Sequence, residues 1–224
     1  VTFETKNKFT FKIQKGKIKK LKYSSQINLI NVILSPKNNF LKNYFDNYND
    51  SIFLSNNLIK LEYENKNLNL EGVSNYSFDK LYDKIEYKIK QKKNNYDFIT
   101  LINFDKNFLK IKPIEYKKEK NKKSNLELRG SYNKNKIKFN EINYNEGSNF
   151  FEVRDLILNK NFKIIDLKKA KVYYLNNNNK KNEIDIEKDL THYNLNGRSF
   201  DSYKLINDIL FSDNEKTFLD NFNL

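Results

Sequence analysis

The chain has 224 residues, 38% of them apolar and 31% charged, with 42 Lys and Arg against 28 Asp and Glu and a formal charge of +14. Its 18 Phe and 15 Tyr, with abundant Ile and Leu, supply enough apolar surface for a core and exclude the disordered extreme. The absence of Cys excludes disulfides and thiolate metal sites, and a single His excludes a zinc centre not completed by carboxylates.

The sequence opens on Val1 and contains no Met, so a fragment or processed product of a larger protein is expected. No run approaches the ~18 apolar residues of a membrane span, and no signal peptide is visible. Any anchor is expected in sequence outside these residues. Most of the positive charge is Lys, with Arg only at Arg129, Arg154 and Arg198. Asn, Lys, Ile, Phe and Tyr share AT-rich codons, so the charge is read first as codon bias placing Lys on solvated strand faces, with a genuine anion-binding surface, for nucleic acid or an anionic membrane, as the alternative. Nucleic-acid readers favour the planar fork of Arg.

In chain order, Phe9, Phe11 and Ile13 alternate with Thr10 and Lys12, the period of a half-buried strand. The same period returns at Leu68 and Leu70, and at Ile85, Tyr87 and Ile89. It recurs at Leu126 and Leu128, Ile137 and Phe139, Ile142 and Tyr144, Val172 and Tyr174, and Ile184 and Ile186. Turn-prone pieces separate these runs: Lys15-Gly16, Asn65 to Asn67, Lys92 to Asn95, Asp105 to Asn107, Asn133 to Asn135, Asn145 to Asn149 and Asn176 to Asn179. Short loops between short strands predict antiparallel hairpins and meanders. The basic run from Lys117 to Lys123 reads as a solvated turn.

Two stretches depart from this period. After Pro36, the spacing of Phe40, Leu41, Tyr44, Phe45 and Tyr48 predicts one face of a helix. Near the end, Leu205, Ile206, Ile209 and Leu210 repeat that spacing, with Ser199 or Asp201 as N-cap, and Phe218, Leu219 and Phe222 suggest another short helix. The expected fold is therefore mainly β: a curved antiparallel sheet, an open groove or half-barrel, with a few short helices, including an amphipathic one near the C-terminus. The expected divisions are 1–50, edge strands plus a helix; 51–197, a β-meander; and 198–224, short helices.

Three segments share an alternating pair followed by Gly: Leu68 to Gly72, Leu126 to Gly130 and Tyr193 to Gly197. A Gly closing a strand allows a bulge that bends a sheet; the three are read equally as a duplication or as independent strand ends. For catalysis the sequence offers little. His192 reads as a surface or structural residue, no Ser sits in a nucleophile elbow, and there is no phosphate-binding Gly loop. Glu183, Asp185 and Glu187 fall on one strand face, the pattern of a solvated strand rather than a Ca²⁺ loop. No enzyme, cofactor or metal site is expected.

The segment Gly197-Arg198-Ser199-Phe200-Asp201-Ser202-Tyr203-Lys204-Leu205 follows a strand and opens a predicted amphipathic helix. With Gly197, Ser199, Phe200, Asp201 and Leu205 it resembles the motif that closes β-modules in the AsmA-like superfamily, notably its large YhdP- and TamB-type members. The resemblance implies a non-enzymatic periplasmic module of a protein anchored in the bacterial inner membrane. It further implies a β-groove contributing to phospholipid transport between membranes or to envelope maintenance. Its partners would be phospholipid acyl chains, with the membrane reached through segments outside this chain. On that reading the groove candidates are Ile85, Tyr87, Ile89, Leu126, Leu128, Ile137, Phe139, Val172 and Tyr174. The residues leave two alternatives open: a basic β-domain binding nucleic acid, and a structural β-module without ligand, whose apolar face would be a dry core.

Overall fold

The computed structural model describes residues 2–36, 39–118, 121–176, 179–190 and 192–200. Its strands are β1 (Phe3–Gln14), β2 (Lys17–Leu34), β3 (Ile52–Glu64), β4 (Asn67–Ser77), β5 (Asp83–Lys92), β6 (Asn95–Asn103), β7 (Lys110–Ile111) and β8 (Tyr116–Lys117). They continue as β9 (Asn125–Tyr132), β10 (Lys136–Glu146), β11 (Asn149–Asn159), β12 (Ile164–Asp166), β13 (Lys169–Leu175), β14 (Lys181–Asp189) and β15 (His192–Ser199). All but β7 and β8 form one antiparallel sheet in the order β1-β2-β3-β4-β5-β6-β9-β10-β11-β13-β14-β15, with β12 also on β11. The path starts at β1 and ends at β15 without closing. The mainly β, antiparallel reading holds.

The two ends of the sheet differ. At one, the turn end, strands reverse over short polar loops such as Lys15-Gly16, Asn65-Lys66, Lys93-Asn94 and Asn133–Asn135. Gly16 there has φ 68, the left-handed conformation that tight hairpins require. At the other, the connection end, chain segments 39–51 and 104–118 fold back over one sheet face.

The first of these carries the helix-like spacing after Pro36, but only as a 3-10 helix, Asn39–Asn43, and further turns. Backbone bonds from the N–H groups of Tyr44 and Phe45 to the Leu41 carbonyl (3.0 and 2.9 Å) suffice to turn Leu41, Phe45 and Tyr48 inward. The second contributes the β7–β8 hairpin and a 3-10 helix, Lys112–Ile114. Together they bury Phe45, Tyr48, Leu109 and Tyr116 against Tyr76, Phe104, Tyr144, Phe151 and Tyr174 from the sheet and its connections. The predicted amphipathic helix beyond Phe200 lies outside the described residues.

The motif glycines do not close strands. Gly72 lies in mid-strand in β4, and a Cβ there would run into the Tyr87 ring. Gly130 and Gly197 sit beside register shifts, at Phe139/Glu141 and Glu183/Asp185, where partner carbonyls approach too closely for a Cβ.

Candidate apolar lane and its surroundings

Strand alternation and register assign side chains to two faces of the sheet. One face is apolar in successive cross-strand rows. Leu70 faces Ile89, Ile89 faces Phe98, Phe98 faces Gly130 and Gly130 faces Phe139, which faces Leu156. The next row runs Ile59, Gly72, Tyr87, Thr100, Leu128, Ile142, Val153, Ala170 and Ile186. Small Gly130 lets the Phe98 and Phe139 rings meet edge to face across it, 5.7 Å between centroids.

All nine groove candidates read from the sequence fall on this face. Tyr174 is buried under the connection-end segments, and Ile85, Leu126 and Val172 pack against the same cluster. Tyr87, Ile89, Leu128, Ile137 and Phe139 lie further towards the turn end and are half-buried. The lane is thus dry core at one end and a partly accessible surface at the other. Leu70, already marked by the alternation of β4, belongs to it too, as do Leu61, Phe98 and Leu156, on strands whose alternation is broken or whose two faces are both apolar.

The covering segments are fixed by a buried polar cluster. The Tyr116 hydroxyl donates to Glu146 Oε2 (2.5 Å) and pairs with the Tyr144 hydroxyl (2.8 Å), while Asn149 Nδ2 donates to the same carboxylate oxygen (2.8 Å). The Asp83 carboxylate accepts from the backbone N–H groups of Lys106 and Asn107 (3.1 and 2.9 Å) and from Asn107 Nδ2 (2.8 Å). Lys118 is fully buried, not part of a solvated turn, and its Nζ donates to the carbonyls of Asn107 (3.2 Å) and Asp105 (3.4 Å). Burial holds its pKa below the ordinary lysine value, against the opposite pull of Glu146, Asp83 and Asp105. Burial pushes the Tyr76 and Tyr116 phenols well above 10 and Tyr144 up to about 12. This cluster holds loops to a sheet.

The opposite face is charged and internally paired. Arg129 meets Glu127 (2.6 Å) and Glu141 (3.7 Å), Arg154 reaches Glu141 (3.7 Å) and Glu152, and Lys138 meets Asp155 (2.9 Å). Across β1 to β6 this face also holds a cleft of about 760 Å³, floored by exposed Leu58, Val73, Ile99 and Leu101. The Glu183, Asp185 and Glu187 trio lies here, with Lys171 opposite Asp185 and Lys169 opposite Glu187. Among the described residues no group of carboxylates and His is arranged to hold a metal. His192 is exposed on edge strand β15.

Of the motif residues, Gly197 and Ser199 lie in β15, where the Ser199 hydroxyl donates to the Lys181 carbonyl; Phe200 is half-buried, and Asp201 and Leu205 lie outside the described residues. Comparison with family models, with curated proteins and with solved structures returns no match. Among the described residues no helix is long and apolar enough to cross a membrane.

Proposed function

We propose that this chain is a non-enzymatic, lipid-conducting β-module of AsmA-like type: an open, curved sheet whose apolar lane solvates phospholipid acyl chains. On this reading it belongs to an inner-membrane-anchored protein, lies on the periplasmic side and contributes to phospholipid transport or envelope maintenance. The observation that carries the proposal is the unclosed sheet with a lane of half-buried aliphatic and aromatic side chains across successive strands. At about 4.8 Å per strand such a lane extends tens of ångströms. Each methylene moved onto it from water gains about 0.8 kcal/mol. A structural β-module would cover that face along its whole length; here the covering segments gather at the connection end. Nucleic-acid binding is disfavoured because the Arg129, Arg154 and Lys138 charges are engaged by neighbouring carboxylates.

Photo-crosslinking residues placed at Leu128 and Phe139 are expected to capture phospholipid from vesicles. The same residue at Lys138, on the charged face, is expected to capture none. Equal capture at the three positions, or none at Leu128 and Phe139, would refute the lane as a lipid path.

A further inference from the structure

The β1–β2 hairpin outruns the rest of the sheet. Pairing of β2 with β3 begins only at Lys22 with Glu64, so residues 11–21 form a two-stranded ribbon beyond the β3–β4 turn. Register places Ile13 opposite Ile18, and Phe11 shares the face of Ile13 by alternation. The register shift between Thr10 and Lys12 matches one extra residue in β2, Lys20, at φ 53. That bulge keeps Leu21 on the face of Ile18 despite the broken alternation. Phe11, Ile13, Ile18 and Leu21 are 53, 65, 65 and 40% exposed. A lone two-stranded ribbon is marginal in water, and four large apolar side chains on one face of it call for a partner with an apolar interior.

The charge around this face defines that partner. Residues 6–22 contain 8 lysines, and no acidic residue occurs between Glu4 and Asp46. Lys12 and Lys19 face each other across the ribbon, with Lys15 and Lys17 at its turn. One row inward on the lane face lie Tyr23, Tyr63, Tyr96 and Tyr132, the residue type that settles at headgroup depth. At the opposite edge of the sheet the same end carries a further exposed apolar residue, Leu190, 89% exposed between β14 and β15.

We infer that the turn end of the sheet docks on an anionic bilayer surface, with the β1–β2 ribbon inserting its apolar face among the acyl chains and its lysines holding the headgroups. This places membrane contact in the chain itself, and it does not depend on what the lane carries. A polyanion such as nucleic acid would satisfy the lysines but leave Ile13, Ile18 and Leu21 in water.

The chain contains no Trp, so Phe11→Trp gives a reporter without background. In the full 224-residue chain its emission is expected to shift to the blue, and to be quenched by brominated acyl chains, on vesicles containing phosphatidylglycerol but not on phosphatidylcholine alone. Tyr82→Trp, at an exposed site of the connection end, is expected to shift on neither. Lys12→Glu, Lys15→Glu and Lys19→Glu combined are expected to raise the half-saturating lipid concentration at least tenfold, with circular dichroism unchanged. No shift at Phe11→Trp on either vesicle, an equal shift at Tyr82→Trp, or a Phe11→Trp shift as large on single-stranded DNA as on vesicles would overturn the inference.

Discussion

Gly72 and Gly130 look alike in the sequence and do different work in the sheet. At Gly130 an added Cβ would strike the Lys138 carbonyl oxygen and the Phe98 ring. The carbonyl belongs to the bulged neighbour β10, so the backbone itself must move. At Gly72 the obstacle is the outer end of the Tyr87 side chain, which can swing away. Gly130→Ala is therefore expected to cost about 2–3 kcal/mol and Gly72→Ala about 1 kcal/mol, read from urea midpoints. Adding Tyr87→Leu is expected to remove most of the Gly72→Ala cost, a coupling expected only where two side chains share one space. Equal costs at the two glycines would contradict this assignment.

Alternation marked strands where it ran unbroken and marked β10 only as two separate pairs, and the strands it missed have identifiable reasons. Ile137 and Phe139 are out of phase with Ile142 and Tyr144, yet all four face the lane, because the bulge at Asn140 resets β10 between them. β2 and β3 lose their phase at Lys20 and Asn56, both in left-handed conformation. β6 is apolar on both faces: Phe98 and Ile102 line the lane while Ile99 and Leu101 floor the opposite cleft. Periodicity cannot register a bulge or a strand with two apolar faces. The charge-rich run ending the β7–β8 hairpin concealed something else, a buried Lys118 whose carbonyl partners come from residues 105–107, remote from any local pattern.

Tyr116 of that hairpin, with Tyr76 and Tyr144 of the sheet in the same core, makes the covering segment sensitive to alkali. In Tyr76, Tyr116 and Tyr144 burial favours the neutral phenol, with folded-state pKa values above the ordinary 10. The folded state therefore holds these protons more tightly, so their stabilising effect is complete below pH 10 and is lost as pH rises beyond it. Lys118, with a lowered pKa, acts in the other direction: the cost of burying its charge disappears as pH rises from its folded pKa towards 10.5. Stability of this region should thus climb towards pH 10 and fall above it. With 15 Tyr and no Trp, near-ultraviolet dichroism and phenolate absorbance both report on tyrosine. A cooperative step in phenolate absorbance, accompanied by loss of dichroism, is expected near or above pH 12 as the buried phenols ionise. A single step near pH 10 with dichroism retained would show that the three phenols are not held in this core.

At the scale of the molecule, strands meet in quantity only their ladder neighbours. A sheet of this kind resembles a repeat array, in which stability is a sum of neighbour terms and opening can begin at either end. The terms are unequal here. All twelve residues of β1 are exposed and the strand has one neighbour, whereas Tyr76, Tyr144, Phe151 and Tyr174, on strands β4, β10, β11 and β13, lie in the core cluster under the connection-end segments. Edge strand β15 is exposed along most of its length. Local opening free energies should accordingly be lowest at the two edges and highest beneath the covering segments. Amide hydrogen exchange at neutral pH is expected to proceed first in β1, the β1–β2 ribbon and β15, and last in β4, β10, β11 and β13. Tyr116→Ala, which empties the centre of the aromatic cluster and costs about 3–5 kcal/mol, is expected to accelerate exchange in β10, β11 and β13 by orders of magnitude while leaving β1 and β2 unchanged. Uniform acceleration across the sheet would instead identify one cooperative unit, and with it a closed packing of the two sheet halves that the unpaired edges argue against.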